Sequence, residues 1–382
     1  MRVTSSFSRG SCDVGTLDVA VLKSWDFSAW QARYGRGWLL PYRIDHLASQ
    51  GFTLRWTDAV HSASWQRSPW SHPVRWLESR TFPFAQTALM TPAIARSPIV
   101  LGMFESEANA AALARSLAPR RPRSSMAVIS CWLAHILSDG SQARRAAYRH
   151  AYRNVDLIYC FSENQVPVLA DVLGGDPARV RCLPFGVDDE TFVPERGPEK
   201  DYVLVVGRDR GRDWPTTLAA LRELRHPAKV CCRSADIAGL DVPPNVEVVG
   251  YVELNEYRRL LADALAVLVV TRPLIYPSGQ SVLLEAMAMG KAVVVTDTPA
   301  LRAYFRDGET ALAAPVADVG AVRDRLVELL GDDRMRRRLG KAGRASVEQF
   351  FSARAMWSAI GDDLRLLVAK KGWTSGVRQI CR

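Results

Sequence analysis

YPSGQSVLLEAMAMGKAVVVTDTP, residues 276–299, reads as a loop, a helix and a strand in that order. Gly279 lets the backbone come close to a ligand, and the helix that starts there presents the N–H groups of Gln280, Ser281 and Val282 at its positive end. Two adjacent phosphates suit such a start. Gly290 closes the helix as a residue free to adopt a left-handed turn. Glu285 lies about one turn inside, among leucines and alanines, where a carboxylate is out of place. It can accept two hydroxyls of a ribose, or it can face solvent on an amphipathic helix, and the stretch alone leaves both readings open.

Working outward, the same rhythm recurs. YVLVVG (202–207), KVCCR (229–233), VEVVG (246–250), AVLVVT (266–271) and AVVVT (292–296) alternate with the helical stretches TTLAALREL (216–224), EYRRLLADA (256–264) and SVLLEAMAM (281–289). Continuous apolar runs separated by helices predict a parallel, doubly wound sheet covered on both faces, with ligands at the carboxyl ends of its strands. The first half repeats the rhythm in LDVAVL (17–22), FTLRW (52–56), PIVLGMF (98–104), MAVISCW (126–132), VDLIYCF (155–161) and VRCLPF (180–185). A chain of 382 residues exceeds what one core organises, so two α/β domains are expected. Gly186–Lys200, acidic and turn-rich, reads as the linker between them. The expected division is 1–195, 196–350 and a C-terminal segment, 351–382. From Lys341 to Lys371 a single long helical pattern runs, expected to pack back on the first domain, followed by a tail.

Hydrophobic residues make up 48% and charged residues 24%, which excludes a chain disordered over most of its length. The net charge of +10, carried mainly by arginine, suits an anionic ligand or an anionic membrane surface. Nucleic acid is disfavoured, because no zinc-finger spacing, RNP signature or Lys/Arg-rich tract is present. No apolar run reaches the roughly 18 residues of a membrane span, and the N-terminus lacks the apolar region of a secretory signal, so a cytoplasmic location is expected. The seven cysteines form no CxxC pair and read as reduced thiols.

Several ordered motifs carry a resemblance. LPFGVDDETFVP (183–194), VVGRDRGRDW (205–214), VVGYVELNEYRRLLADA (248–264), the 276–299 stretch and YFRDGETALAAPV (304–316) are similar, in this order, to motifs of the family-4-like retaining glycosyltransferases. The resemblance covers roughly residues 180–370. It implies a GT-B fold, in which two Rossmann-like, doubly wound domains face each other across a cleft and a C-terminal helix crosses back to the first. The acceptor would bind the N-terminal domain and the nucleotide-sugar donor the C-terminal one. It also implies that Arg208 and Arg212 neutralise the donor diphosphate, that Arg233, Tyr251 and Val252 wall the base, and that His135 lies beneath the donor sugar. His135 and Arg208 are then the catalytic candidates. Two positions depart from the family pattern: its lysine falls nearer Asp213, and its first glutamate is Pro277. Gly35 and Gly37 form either a tight turn against donor phosphates or an ordinary loop.

The activity so implied is transfer of a sugar from a nucleotide-diphosphate donor to a metabolite, saccharide or lipid-linked acceptor, with retention of configuration. No DxD spacing follows a strand, so no metal is expected, and the nucleotide sugar is a co-substrate with no further cofactor. A GT-B-like epimerase or phosphorylase, and a catalytically silent partner subunit, remain alternatives. A nicotinamide dehydrogenase is excluded for want of GxGxxG. Trp65, Trp70 and Trp76 alternate with Arg67, Arg75 and Arg80, and two further basic stretches, 115–123 and 144–153, follow. These segments suit either a peripheral membrane contact or ordinary solubilising arginines around a local aromatic core.

Overall fold

The computed structural model describes residues 2–3, 16–23, 41–57, 63–79, 84–118, 123–195 and 197–372. Gly35, Gly37, Arg80, Cys12 and Cys381 lie outside them. The chain sorts into two units, one made of Met1–Leu183 with Trp357–Arg382 and the other of Pro184–Met356.

In the first unit, β1 (Arg2–Val3), β2 (Leu17–Leu22), β3 (Phe52–Arg55), β4 (Ile99–Gly102), β5 (Ser125–Ile129), β6 (Leu157–Cys160) and β7 (Val180–Cys182) form one sheet in the order β1-β3-β2-β4-β5-β6-β7. All its pairs are parallel except β1 with β3. The order turns around between β2 and β4, because β3 lies on one side of β2 and β4 on the other.

In the second unit, β8 (Lys200–Val206), β9 (Ala228–Cys231), β10 (Val246–Val248), β11 (Ala264–Val269), β12 (Val293–Thr296) and β13 (Leu312–Ala314) form a parallel sheet ordered β10-β9-β8-β11-β12-β13. Its two faces carry separate cores. Leu204, Val267 and Val295 pack on one side with the Gln280–Ala288 helix, and Val203, Leu268 and Val294 on the other with the Trp214–Leu224 helix. That two-sided burial is why these strands read as unbroken apolar runs. The short β1 and β13 carry no such run.

Two expectations change. The units divide at Leu183/Pro184 and not near 195, because the 184–195 segment is built into the second unit. Val187 bridges Ser352, its N–H bonds the Phe351 carbonyl, and Phe192 is a core residue. The single C-terminal helical pattern is two helices, Asp333–Phe350 and Ala353–Lys370. They part where Phe351 and Ser352 turn their backbone to Val187, and the Ser352 hydroxyl caps Ala355 N–H at 3.2 Å. From Trp357 onward the last helix packs on the first unit: the Trp357 indole N–H donates to the Tyr42 carbonyl at 2.6 Å, and Arg181 pairs with Asp363 at 2.7 Å.

Candidate functional site

At the carboxyl end of β11, Gly279 adopts φ +87° and no side chain caps the helix it starts. Leu283 is the first residue to bond back, to the Gly279 carbonyl, and Gln280 N–H is taken by Pro277. The N–H groups of Ser281 and Val282 meet no backbone or side-chain acceptor among the described residues. A helix start left bare in this way offers donors suited to an anion.

Arg212 lies against it. Its residue is 5% exposed, and its Nε and Nη1 are buried with no hydrogen-bond partner. A Cβ on Gly279 would sit 2.7 Å from Arg212 Nη1, and one on Gly207 would collide with the same side chain. Both glycines are therefore required by the arginine between them, and Gly279 also by its left-handed φ. The Thr271 hydroxyl, 1% exposed, is a third unpartnered polar group near this point, on the residue whose backbone bridges Arg212. Burial lowers the Arg212 pKa, opposed by the charges of Asp209 and Glu285. Neither acid forms an ion pair with it.

The loop carrying Arg212 is tied to the helix start by Asp209. This carboxylate accepts Gly211 N–H at 2.7 Å, the Tyr276 hydroxyl at 3.0 Å and the Ser278 hydroxyl at 2.7 Å. Asp213, where the family pattern has a lysine, is instead the N-cap of the 214–224 helix and accepts the Thr216 N–H at 3.3 Å and hydroxyl at 2.7 Å. The position serves helix capping, and Arg212 is the buried cation of this loop.

Glu285 is one turn further in, as the spacing implies. Its Oε2 accepts the Tyr257 hydroxyl at 2.6 Å. Burial pushes its carboxyl up to about 7, against the opposing effects of the Tyr257 hydrogen bond and the Arg212 charge. The residue is half-buried with this oxygen turned onto Tyr257, so neither sequence reading describes it fully.

The remaining candidates take different places. Arg208 is exposed and its guanidinium lies 4.9 Å above the Tyr251 ring, itself 58% exposed. Arg233 is committed to Asp236 at 2.6 Å and to the Arg208 carbonyl at 3.1 Å. Val252 packs against the core. In the first unit, His135 lies on the Leu133–Ser138 helix beyond β5, with Nδ1 3.5 Å from the Asp139 carboxylate. Arg145 and Arg149 hold the Leu137 carbonyl and Asp171, and Arg115 is buried on Ser124. These are structural arginines. Among the described residues no three His, Cys, Asp or Glu side chains converge in a way that could hold a metal ion.

Sequence reasoning missed Tyr257, Asp209 and Thr271. Only Tyr257 left a signal, since with Leu260 and Leu261 it forms the inward stripe of the Leu254–Asp263 helix. Nothing along the chain pairs Asp209 with Tyr276 and Ser278.

Two doubly wound units, the second with an arginine buried beside a bare helix start, have the GT-B fold. Residues 202–332 match the family model described as glycosyl transferases group 1. Sucrose-phosphate synthase from Thermosynechococcus elongatus shares the fold at a TM-score of 0.66 and 17% identity, covering 93% of this chain and 100% of that one. Anabaena HepE, solved in complex with UDP, shares it at 0.65 and 12% identity, covering 92% and 100%. Over 83 residues, 22% of this chain, the sequence is 39% identical to phosphatidyl-myo-inositol mannosyltransferase of Mycobacterium leprae (strain TN). The matched stretch spans 21% of that relative's length.

Proposed function

We propose that this chain transfers a sugar from a nucleoside-diphosphate donor to a hydroxyl acceptor. The observation that carries it is the buried, unpartnered Arg212 guanidinium beside the bare N–H groups of Ser281 and Val282. Leaving a guanidinium buried without a counter-ion is costly, and a diphosphate supplies both the charge and the acceptors. Glu285, one turn along, then takes the ribose hydroxyls. With the phosphate charge met by arginine and helix, no metal is required, and catalysis consists of positioning and stabilising the leaving diphosphate. Arg208 reaches the donor from the solvent side, and Tyr251 beneath it offers a face to the base. Retention of configuration and a role for His135 follow from the family resemblance.

Calorimetry with UDP, GDP, dTDP and ADP tests this. One diphosphate is expected to bind with micromolar affinity while its monophosphate binds at least tenfold more weakly; equal affinity for both would remove the diphosphate site. UDP is the first choice, since HepE was solved with UDP and with UDP-glucose. Incubation with the matching nucleotide sugar then separates transfer from the alternatives. Nucleoside diphosphate released only with acceptor present, in step with glycosylated acceptor formed, indicates transfer; free sugar and nucleoside diphosphate released in equal amounts without acceptor indicate an epimerase-type cleavage, sugar 1-phosphate formed with added phosphate a phosphorylase, and no turnover a silent subunit.

The acceptor is proposed to be lipid-linked, in keeping with the names of the mannosyltransferase relatives. On the first unit, Trp70 (70% exposed), Trp76 (59%) and Leu77 (43%) lie on and beside the Ser71–Glu78 helix, with Arg67 and Arg75 also exposed. Glu78 turns away, accepting the N–H groups of Phe84 and Ala85 at 2.7 Å. This face matches an anionic bilayer surface. Among the described residues no helix is long and apolar enough to cross a membrane, so contact would be peripheral. Co-sedimentation with phosphatidylglycerol vesicles should exceed that with phosphatidylcholine, and Trp70→Ala with Trp76→Ala should lower it by roughly tenfold; unchanged sedimentation of the double variant would discard the surface.

A further inference from the structure

The first unit's sheet reverses its order between β2 and β4, and in doubly wound sheets the crevice beyond the strand ends at that point is where ligands lie. Three aromatic rings that follow the carboxyl ends of these and the neighbouring strand contact one another. Tyr42 comes from the β2–β3 connection, Phe104 from the exit of β4, and Trp132 from the exit of β5. Tyr42 and Phe104 meet edge to face with centroids 5.6 Å apart, and Phe104 and Trp132 are 5.8 Å apart at a tilt of 40°. Trp132 is 40% exposed, while the other two are half-buried.

The row is held from behind at each end. Glu105, 2% exposed, accepts Cys131 N–H at 3.0 Å and Trp132 N–H at 2.7 Å, which pins the turn that projects the indole. Its buried carboxyl is pushed up by desolvation, with those two N–H bonds acting in the opposite direction. At the far end, Tyr42 and Arg43 adopt φ 54° and 56°, a left-handed pair without glycine, anchored by the Trp357 indole on the Tyr42 carbonyl. Strain of this kind persists where the surroundings over-determine it and clusters at ligand sites.

We infer that the Trp132–Phe104–Tyr42 row is an acceptor subsite on which the C–H face of a polyol ring, a sugar or a cyclitol, stacks. Phe104 supports the exposed Trp132 indole at a tilt and Tyr42 meets Phe104 edge-on, so the apolar face on offer is the indole's own, and His135 follows one turn on in the same helix to meet a hydroxyl. The inference rests on the proposed sugar transfer and extends it to the acceptor. Glu105 is a positioning residue here, since it touches only the backbone of the turn.

Saturation-transfer NMR with myo-inositol and methyl α-mannopyranoside as probes tests the subsite, with UDP calorimetry on the same samples. Wild type should transfer saturation to the ring C–H protons of at least one probe. Trp132→Ala should reduce that transfer at least fivefold, Trp132→Phe should retain most of it, and all three proteins should bind UDP equally. Transfer undiminished in Trp132→Ala, or transfer only to the acyl protons of dihexanoyl phosphatidylglycerol added as a third probe, would overturn the subsite. Absence of UDP binding in wild type would instead count against the donor reading, and the ring probes would still decide the subsite.

Discussion

Arg212→Met abolishes useful nucleotide-diphosphate binding and does not lower the melting temperature. Removing one partner of a desolvated, hydrogen-bonded charge pair costs about 2–4 kcal/mol, so affinity should fall roughly thirty- to seven-hundred-fold. The unliganded protein should not suffer, because Arg212 is 5% exposed and, among the described residues, its Nε and Nη1 have no partner and no carboxylate forms an ion pair with it. Methionine follows much of the same path between Gly207 and Gly279 without an uncompensated charge. Calorimetry with the nucleotide and a thermal melt without it check the two halves. A variant that melts well below wild type yet, while folded, binds the nucleotide as tightly would show Arg212 to be a structural residue. An arginine that harms the empty fold and is kept for the filled one is the trade between stability and function expected at a binding site.

Glu285 should make both affinity and stability depend on pH in opposite senses. Its folded pKa is raised from 4.5 to about 7, so the folded protein holds the extra proton more tightly than the unfolded chain. That contribution to stability is fully present below 4.5 and is lost as pH rises through about 7. Each unit corresponds to about 1.4 kcal/mol, which sets a ceiling on the order of 3 kcal/mol. Ribose hydroxyls donate to the ionised carboxylate, so nucleotide affinity should climb over the upper part of the same window. Glu285→Gln keeps an acceptor for the Tyr257 hydroxyl but cannot ionise. It should melt a few degrees above wild type at pH 8 and level with it near pH 5. Its nucleotide affinity should be weaker by roughly ten- to a hundredfold at pH 8 and flat with pH. A wild-type affinity that shows no inflection between pH 5 and 8 would sink the assignment of Glu285 to the ribose.

Much of the architecture was legible along the chain. Strands buried on both faces must be continuous apolar runs, and β2, β4, β8, β11 and β12 fall where those runs fall. Positions 279 and 290 announced the ends of the site helix because glycine accepts without steric cost the positive φ both adopt, +87° and +70°. The break at 351–352 was not legible. Both flanking segments have helical periodicity, and what parts them is a backbone bond to Val187.

The site divides in the same way. The bare N–H groups at 281–282 and the carboxylate one turn on are local consequences of where a helix starts, so local sequence was sufficient to place them. Whether Arg208 or Arg212 faces them is not local. Both leave the same loop, and the choice is made by the packing of Gly207 and Gly279 around one guanidinium and by Asp209 binding Tyr276 and Ser278 from another crossover. Sequence by itself therefore determined a phosphate-ready helix in a doubly wound domain, because hydrogen bonding and periodicity act over a few residues. Only the tertiary structure decided which arginine is buried beside it, how Tyr257 holds Glu285, and that three aromatic rings from separate connections meet beyond the strand ends of the first sheet, because those contacts join residues that only the sheet order brings together.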